Sequence, residues 1–260
     1  MRRRDGLAAV VAAAASLAGG ALRAQAPSPQ TPPSPQTAPS PSGPFVPPID
    51  SAARPRRAAG KLEALGNDRY RIGAIVVDKR GGSFTVPGRM HKKSVPLEYL
   101  ATSPGGMKEY ETLFELDAIG SEFNLACILI GLEADPNLPW RELRVARKVG
   151  GPRVKIDVAW GEGDKRQRLP AAEALLNPEA GVAPAGVEWV YIGSPASAAM
   201  GRFAADETGT LVGFVSDANS IIEAAAPIGI GAYGSVRGSA RLPAVGAPIE
   251  LIVEAVKPPR

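Results

Sequence analysis

Histidine and cysteine are nearly absent: the 260-residue chain holds one of each. That scarcity excludes whole chemistries. A Ser-His-Asp or Cys-His arrangement needs an imidazole base. Only His91, in "RMHKKS", could serve, and beside Lys92 and Lys93 it reads as an exposed loop histidine. A Cys/His zinc site and a cluster held by four thiolates are both ruled out. With one cysteine there is no internal disulfide, so packing must supply the stability. Cys127 lies in the apolar run "SEFNLACILIGL" and reads as a buried core thiol. Also missing are a GxxxxGK[ST] phosphate loop, EF-hand spacing and an apolar run of roughly 20 residues. "GIGAYG" at Gly229–Gly234 has the letters of a dinucleotide fingerprint, but "SVRGSARLP" follows it and is no helix. It reads as a flexible loop.

The N-terminus is informative. Arg2, Arg3 and Arg4 precede an Ala-rich apolar run from Leu7 to Leu17, and small residues follow to Ala24 and Ala26. This is the layout of a secretory signal peptide over residues 1–26. Cleavage after Ala24 or after Ala26 and retention as an anchor stay open, because Pro27 disfavours the second site. The tandem hexapeptides "PSPQTP", "PSPQTA" and "PSPSGP" run from Pro27 to Pro44, and "SAARPRRAAGK" follows. Such sequence favours extended polyproline II and builds no core, so residues 27–61 read as a disordered linker. Residues 62–260 then form one domain of ordinary size.

The charge follows this division. Residues 1–61 carry eight Lys/Arg and two acids, and the rest carry 22 and 24, a balance of −2. The basic pI near 9.3 therefore belongs to the signal and the linker. A nucleic-acid reader would need a basic patch on the fold itself, so no nucleic acid is expected as partner.

Along the domain the pattern is mostly short strands. "DRYRIGAIVVD" and "SFTVPG" flank "KRGG" as a hairpin, "VPLEYLATS" reads as a strand, and "PRVKIDVAWGEGDKRQRLPA" is the clearest hairpin. "SEFNLACILIGL" reads as a helix capped by Ser121. Short helices are expected at "AAEALLNPEAG" and "NSIIEAAAPIG", a hairpin turn at "DETG", and strands at "VEWVYIGSPA" and "LPAVGAPIELIVEAV". The expected fold is α+β, β-dominant, with antiparallel hairpins in a sheet or sandwich-like core carrying two or three short helices.

The stretch "LEYLATSPGGMKEYETLFELDA", Leu97–Ala118, concentrates the candidate residues. In "KEYETLFELDA" Tyr110, Thr112, Phe114 and Leu116 alternate with Glu109, Glu111, Glu115 and Asp117. Period-2 alternation reads as a half-buried strand whose acids face water. Paired acids remain candidates for acid–base work, namely Glu109 with Glu111 and Asp206 with Glu207. The five residues singled out as ligand-binding candidates are Glu98, Ser103, Lys108, Tyr110 and Glu111; none is assigned a catalytic or metal-binding role.

The same stretch, with "FNLACILIGL", "VKIDVAW", "LLNPEAG", "WVYIGS", "GTLVGFVSDANSIIEAA" and "LPAVGAPIELIV", resembles the YdjY-domain family of exported bacterial proteins. The resemblance covers roughly Leu62 to Lys257 and implies an extracytoplasmic domain with no reaction to carry over. Relatives often show Ala-Cys-Pro before the turn and Lys-Glu-His-Glu-Ser after it. Ser103 stands here where that Cys is common, and Tyr110 where that His is common, so a ferredoxin-like role does not extend to this chain. The expectation is an exported, periplasmic or envelope-associated, non-enzymatic binding or interaction module. It has no cofactor and no transmembrane helix after signal cleavage, and an unknown envelope protein or polymer as partner. A carboxylate-dependent hydrolase of the envelope and a structural envelope protein are the alternatives.

Overall fold

The structure is a computed structural model and describes residues 58–135, 149–194, 196–197, 202–226, 228 and 236–257. The signal-like segment, the Pro-rich repeats and "GIGAYG" lie outside them.

Three short strands lead in: β1 (Leu62–Gly66), β2 (Arg69–Ile72) and β3 (Ile75–Asp78). β4 (Ser83–Met90), β5 (Tyr99–Thr102) and β6 (Thr112–Leu116) precede helix α1 (Gly120–Leu129). β7 (Arg153–Trp160) and β8 (Gln167–Pro170) form the expected hairpin, followed by β9 (Leu175–Leu176) and β10 (Trp189–Tyr191). β11 (Ala196–Ser197), β12 (Arg202–Phe203) and helix α2 (Ala204–Thr208) come next. β13 (Thr210–Gly213), β14 (Ile222–Ala224), β15 (Arg237–Gly238) and β16 (Pro248–Ala255) complete the order.

Eight of these strands close into a barrel, in the order β4, β16, β7, β10, β14, β13, β5, β6 and back to β4. The open sheet or sandwich expected from the sequence is therefore wrong, and among the described residues two α-helices accompany the strands. Closure depends on β4 dividing one edge between two partners. Its first residues pair with β3, and Gly88, Arg89 and Met90 pair with Leu116, Glu115 and Phe114 of β6. Gly88 permits that contact, because a Cβ there would run into the Glu115 carbonyl oxygen. Period-2 patterning reads the same in a sandwich and in a barrel, so the sequence carries no signal for this step.

The barrel has two unlike halves. In β16 burial alternates, and Ile249, Leu251 and Val253 are buried with Val154, Ile156 and Val158 of β7, whose Asp157 and Ala159 are buried as well. Arg168 bridges Asp157 and Glu254 on the outer face, and Arg166 meets Glu250. By contrast β5, β6, β13 and β14 are buried at every residue. Here β5 pairs parallel with β6 and β13 with β14. Parallel neighbours need crossovers, and the crossovers cover the strands' outer face.

This corrects the reading of "KEYETLFELDA". Glu109–Glu111 is a 3-10 turn, and all five residues of β6 are buried. Its acids do not form a wet face: Glu115 is 6 % exposed and pairs with Arg89 at 2.6 Å. Two helix readings and one hairpin reading also change. "AAEALLNPEAG" gives a 3-10 turn at Ala171–Ala174 and then β9. "NSIIEAAAPIG" gives β14, because Ile222 and Glu223 complete pairing with β10 and β13 and tertiary pairing overrides the cap signal. "DETG" ends α2, with Gly209 in the left-handed conformation at φ 73°, rather than turning a hairpin.

Helix α1 forms where expected, but Ile119 and not Ser121 precedes it. Glu122 accepts the Ile119 N–H at 3.3 Å and the Gly60 N–H at 2.6 Å, and Asp206 accepts the Ser121 N–H at 2.7 Å. Side-chain acceptors thus satisfy the helix's open N-terminal donors. Phe123 stacks edge-on against Phe84 with centroids 5.2 Å apart, and Cys127 is fully buried. Among the described residues no helix is long and apolar enough to cross a membrane.

Candidate functional site

The site is built where two short crossovers meet over β5. After Thr102 the chain turns at Ser103–Gly106, the Gly106 N–H reaching the Ser103 carbonyl at 3.0 Å. Ser103 and Met107 donate to the carbonyls of Gly209 and Thr208, which pin the turn to the end of α2. Gly209 also lies where its missing side chain would meet Gly106. The 3-10 turn then brings the chain back along β5, and the Glu98 N–H closes on the Glu111 carbonyl at 3.0 Å. Lys108, Tyr110 and Glu111 therefore come to rest beside the start of β5, where Tyr99 stands.

Lys108 is the centre of this group. Its ammonium donates to Glu111 at 2.8 Å and to the Tyr110 hydroxyl at 3.1 Å. It also lies 5.4 Å from the Tyr110 ring centroid and 5.9 Å from that of Tyr99, within cation–π range. Burial pulls the Lys108 pKa down, but the bonds to Glu111 and Tyr110 outweigh it and the net shift is upward. Glu111 is buried, while Tyr110 is 57 % exposed.

The second crossover, residues 214–221, supplies the floor. The Tyr99 hydroxyl donates to Asp217 at 2.9 Å, and both residues are buried. The other Asp217 oxygen accepts two bonds from Asn219, at 3.0 Å from the backbone and 2.9 Å from the side chain. The Asp217 N–H donates to Glu223 at 2.7 Å. Burial first, then Asp217, Glu111 and Glu98, push the Tyr99 phenol well above its ordinary pKa. The hydroxyls of Ser216 and Ser220 are wholly buried here without a protein hydrogen-bond partner.

Four of the five sequence candidates thus converge: Glu98, Lys108, Tyr110 and Glu111. Ser103 does not join them. It lies at the opposite end of β5, roughly 13 Å along the strand from Tyr99 at about 3.3 Å per residue. Of the acids paired from the sequence, Glu111 accepts the Lys108 ammonium, and Asp206 accepts the Ser121 N–H at the start of α1. His91 is not an exposed loop residue, since its ring is 16 % exposed and its Nδ1 lies 3.9 Å from Glu115. Sequence reasoning missed Tyr99 and Asp217. The signal for Asp217 was an acid closing the apolar run "LVGFVSD"; for Tyr99 there was none beyond its place in a strand.

A separate groove of about 280 Å³ lies between β7, β10 and the Ala171 turn, lined by Arg153, Ile156, Ala171, Val187, Trp189 and Val256. Its cations are engaged, Arg153 with Glu188 and Lys155 with Asp157. Among the described residues no three His, Cys, Asp or Glu side chains gather where they could hold a metal ion.

Comparison with known proteins gives one match. The family model described as YdjY domain fits residues 75–254, about two thirds of the chain, from the start of β3 to the penultimate residue of β16. No curated protein and no solved structure matches.

Proposed function

The chain belongs to the YdjY-domain family, and from that premise we propose that it is an exported, non-enzymatic binding or interaction module spaced from its export signal by the Pro-rich segment. One observation carries this reading: Lys108, Tyr110 and Glu111 meet at a single surface point above the buried Tyr99. Tyr110 is more than half exposed, with Met107 exposed beside it. Tyrosine and methionine on an ordered turn are the residue types that interface cores favour.

Catalysis finds less support. General acid–base work needs a carboxyl positioned to exchange a proton with substrate. Asp217 already accepts three bonds, and Glu111 accepts the Lys108 ammonium. The partner is an envelope protein or polymer. The test is a pull-down from periplasmic extract with three baits: the full chain, the chain without residues 27–57, and the triple variant Lys108→Ala/Tyr110→Ala/Glu111→Ala. Partners should survive loss of the Pro-rich segment and disappear with the triple variant, whose folding circular dichroism confirms. Retention of every partner by that variant refutes the reading.

A further inference from the structure

The Lys108 contacts describe more than a salt bridge. A carboxylate, a phenol oxygen and two aromatic rings converge on one ammonium nitrogen. That is the acceptor-rich, π-lined surrounding that selects an organic cation. It is unsuited to an anion, because Lys108 spends its donors inside it. The charge around the phenol points the same way: Glu98, Glu111 and Asp217 all act on Tyr99. Lys108 reaches this place from a solvent-facing turn, its side chain still 22 % exposed. Its own hold is local, three residues away along the chain. A lysine stem fixed in one geometry gives up rotamer freedom, so its departure recovers entropy.

We infer that the Tyr99–Tyr110–Glu111 cage is a binding site for a primary alkylammonium group, and that Lys108 fills it as a built-in competitor until such a group arrives. This rests on the binding-module reading and names the chemistry that module recognises. An amine on the partner takes the place of the Lys108 ammonium: it donates to Glu111 and Tyr110 and lies against the rings. Lys108 swings to solvent, where its charge is free to meet an acid on the same partner. The apparent affinity for the amine is lowered by the fraction of time Lys108 occupies the cage.

The experiment uses the full chain and n-butylammonium chloride as probe, with sodium chloride and sodium butyrate at equal ionic strength as controls. Tyrosine ring resonances report binding by NMR. Wild type should respond weakly. Lys108→Ala and Lys108→Met should each bind n-butylammonium saturably, at least about tenfold more tightly than wild type. Adding Glu111→Gln to either should abolish the gain, and butyrate should give no response. If one Lys108 variant fails to fold, the other decides. If both fail, the wild type decides, because displacement of Lys108 at high probe concentration must shift the Tyr110 resonances and a flat titration refutes the site. Equal affinity in wild type and variants refutes the competitor role of Lys108. A flat amine titration combined with loss of partners in the triple variant refutes this inference while leaving the binding-module reading intact.

Discussion

Substituting Tyr99 with Phe removes one hydroxyl from a network in which Tyr99 and Asp217 are buried. The ring remains, so packing in β5 is conserved, and Asp217 loses the donor to one oxygen while Asn219 still serves the other. A hydrogen bond to a charged acceptor contributes about 1.5–3 kcal/mol. For a domain of this size, roughly 2–4 °C per kcal/mol lowers the melting temperature by about 3–12 °C. The pH dependence gives a sharper check. The folded-state pKa of Tyr99 is raised well above 10, chiefly by burial, while the unfolded residue titrates near ~10. The stabilisation this phenol contributes is therefore complete below about pH 10. It is lost as pH rises toward the folded value, by roughly 1.4 kcal/mol per unit. The Phe variant loses nothing through this residue. Because the unfolded phenol is only half ionised at pH 10, the stability gap between the two proteins should shrink by about 1 kcal/mol from pH 10 to pH 11. Urea unfolding at pH 7, 10 and 11 measures it. A Phe variant as stable as wild type at pH 7, or a gap that stays constant to pH 11, refutes the account of this network.

Two further outcomes follow from the barrel. Gly88→Ala should cost about 1–3 kcal/mol or more, read as a lowered melting temperature, because the new methyl group runs into the Glu115 carbonyl at the closing pair; unchanged melting would show that β4 can close the ring without glycine. Cys127 is fully buried, and burial raises its thiol pKa well above the ordinary value, so a thiol reagent at pH 9 should label it only as urea unfolds the domain. Labelling of the native protein at the rate of a free thiol would contradict that placement.

Local pattern carried the strands and little of their arrangement. "PRVKIDVAW" shows its inward Val154, Ile156 and Val158 by alternation alone, and they are buried as expected. "TLFEL" also alternates, yet Glu115 is buried, because a crossover and Arg89 cover what an open sheet would leave wet. "NSIIEAA" carries a helix cap in its letters, but the helix loses to strand pairing on both sides of β14. Lys108, Tyr110 and Glu111 could be grouped from sequence because they sit within four residues. Tyr99 and Asp217 are 118 positions apart, and only the two crossovers bring them together.

Those crossovers also separate structural need from functional content. Parallel neighbours usually need a connection of a dozen or more residues, often a helix. Here nine residues, 103–111, join β5 to β6, and eight, 214–221, join β13 to β14. Connections this short bring buried polar side chains, Ser216, Asp217 and Ser220, over the strands beside the apolar Phe214, Val215 and Ile221. A buried phenol beneath them must find an acceptor, and Asp217 meets that demand. The Tyr99–Asp217–Asn219 network therefore answers a structural demand and stabilises the fold. Tyr110 answers no such demand: it projects into solvent, and the turn is already fixed by backbone bonds to Thr208 and Gly209, while Lys108 serves the buried Glu111. Residues the fold does not need are where function has room to act, which is why the proposed recognition concerns the rim above Tyr99 and not the barrel beneath it.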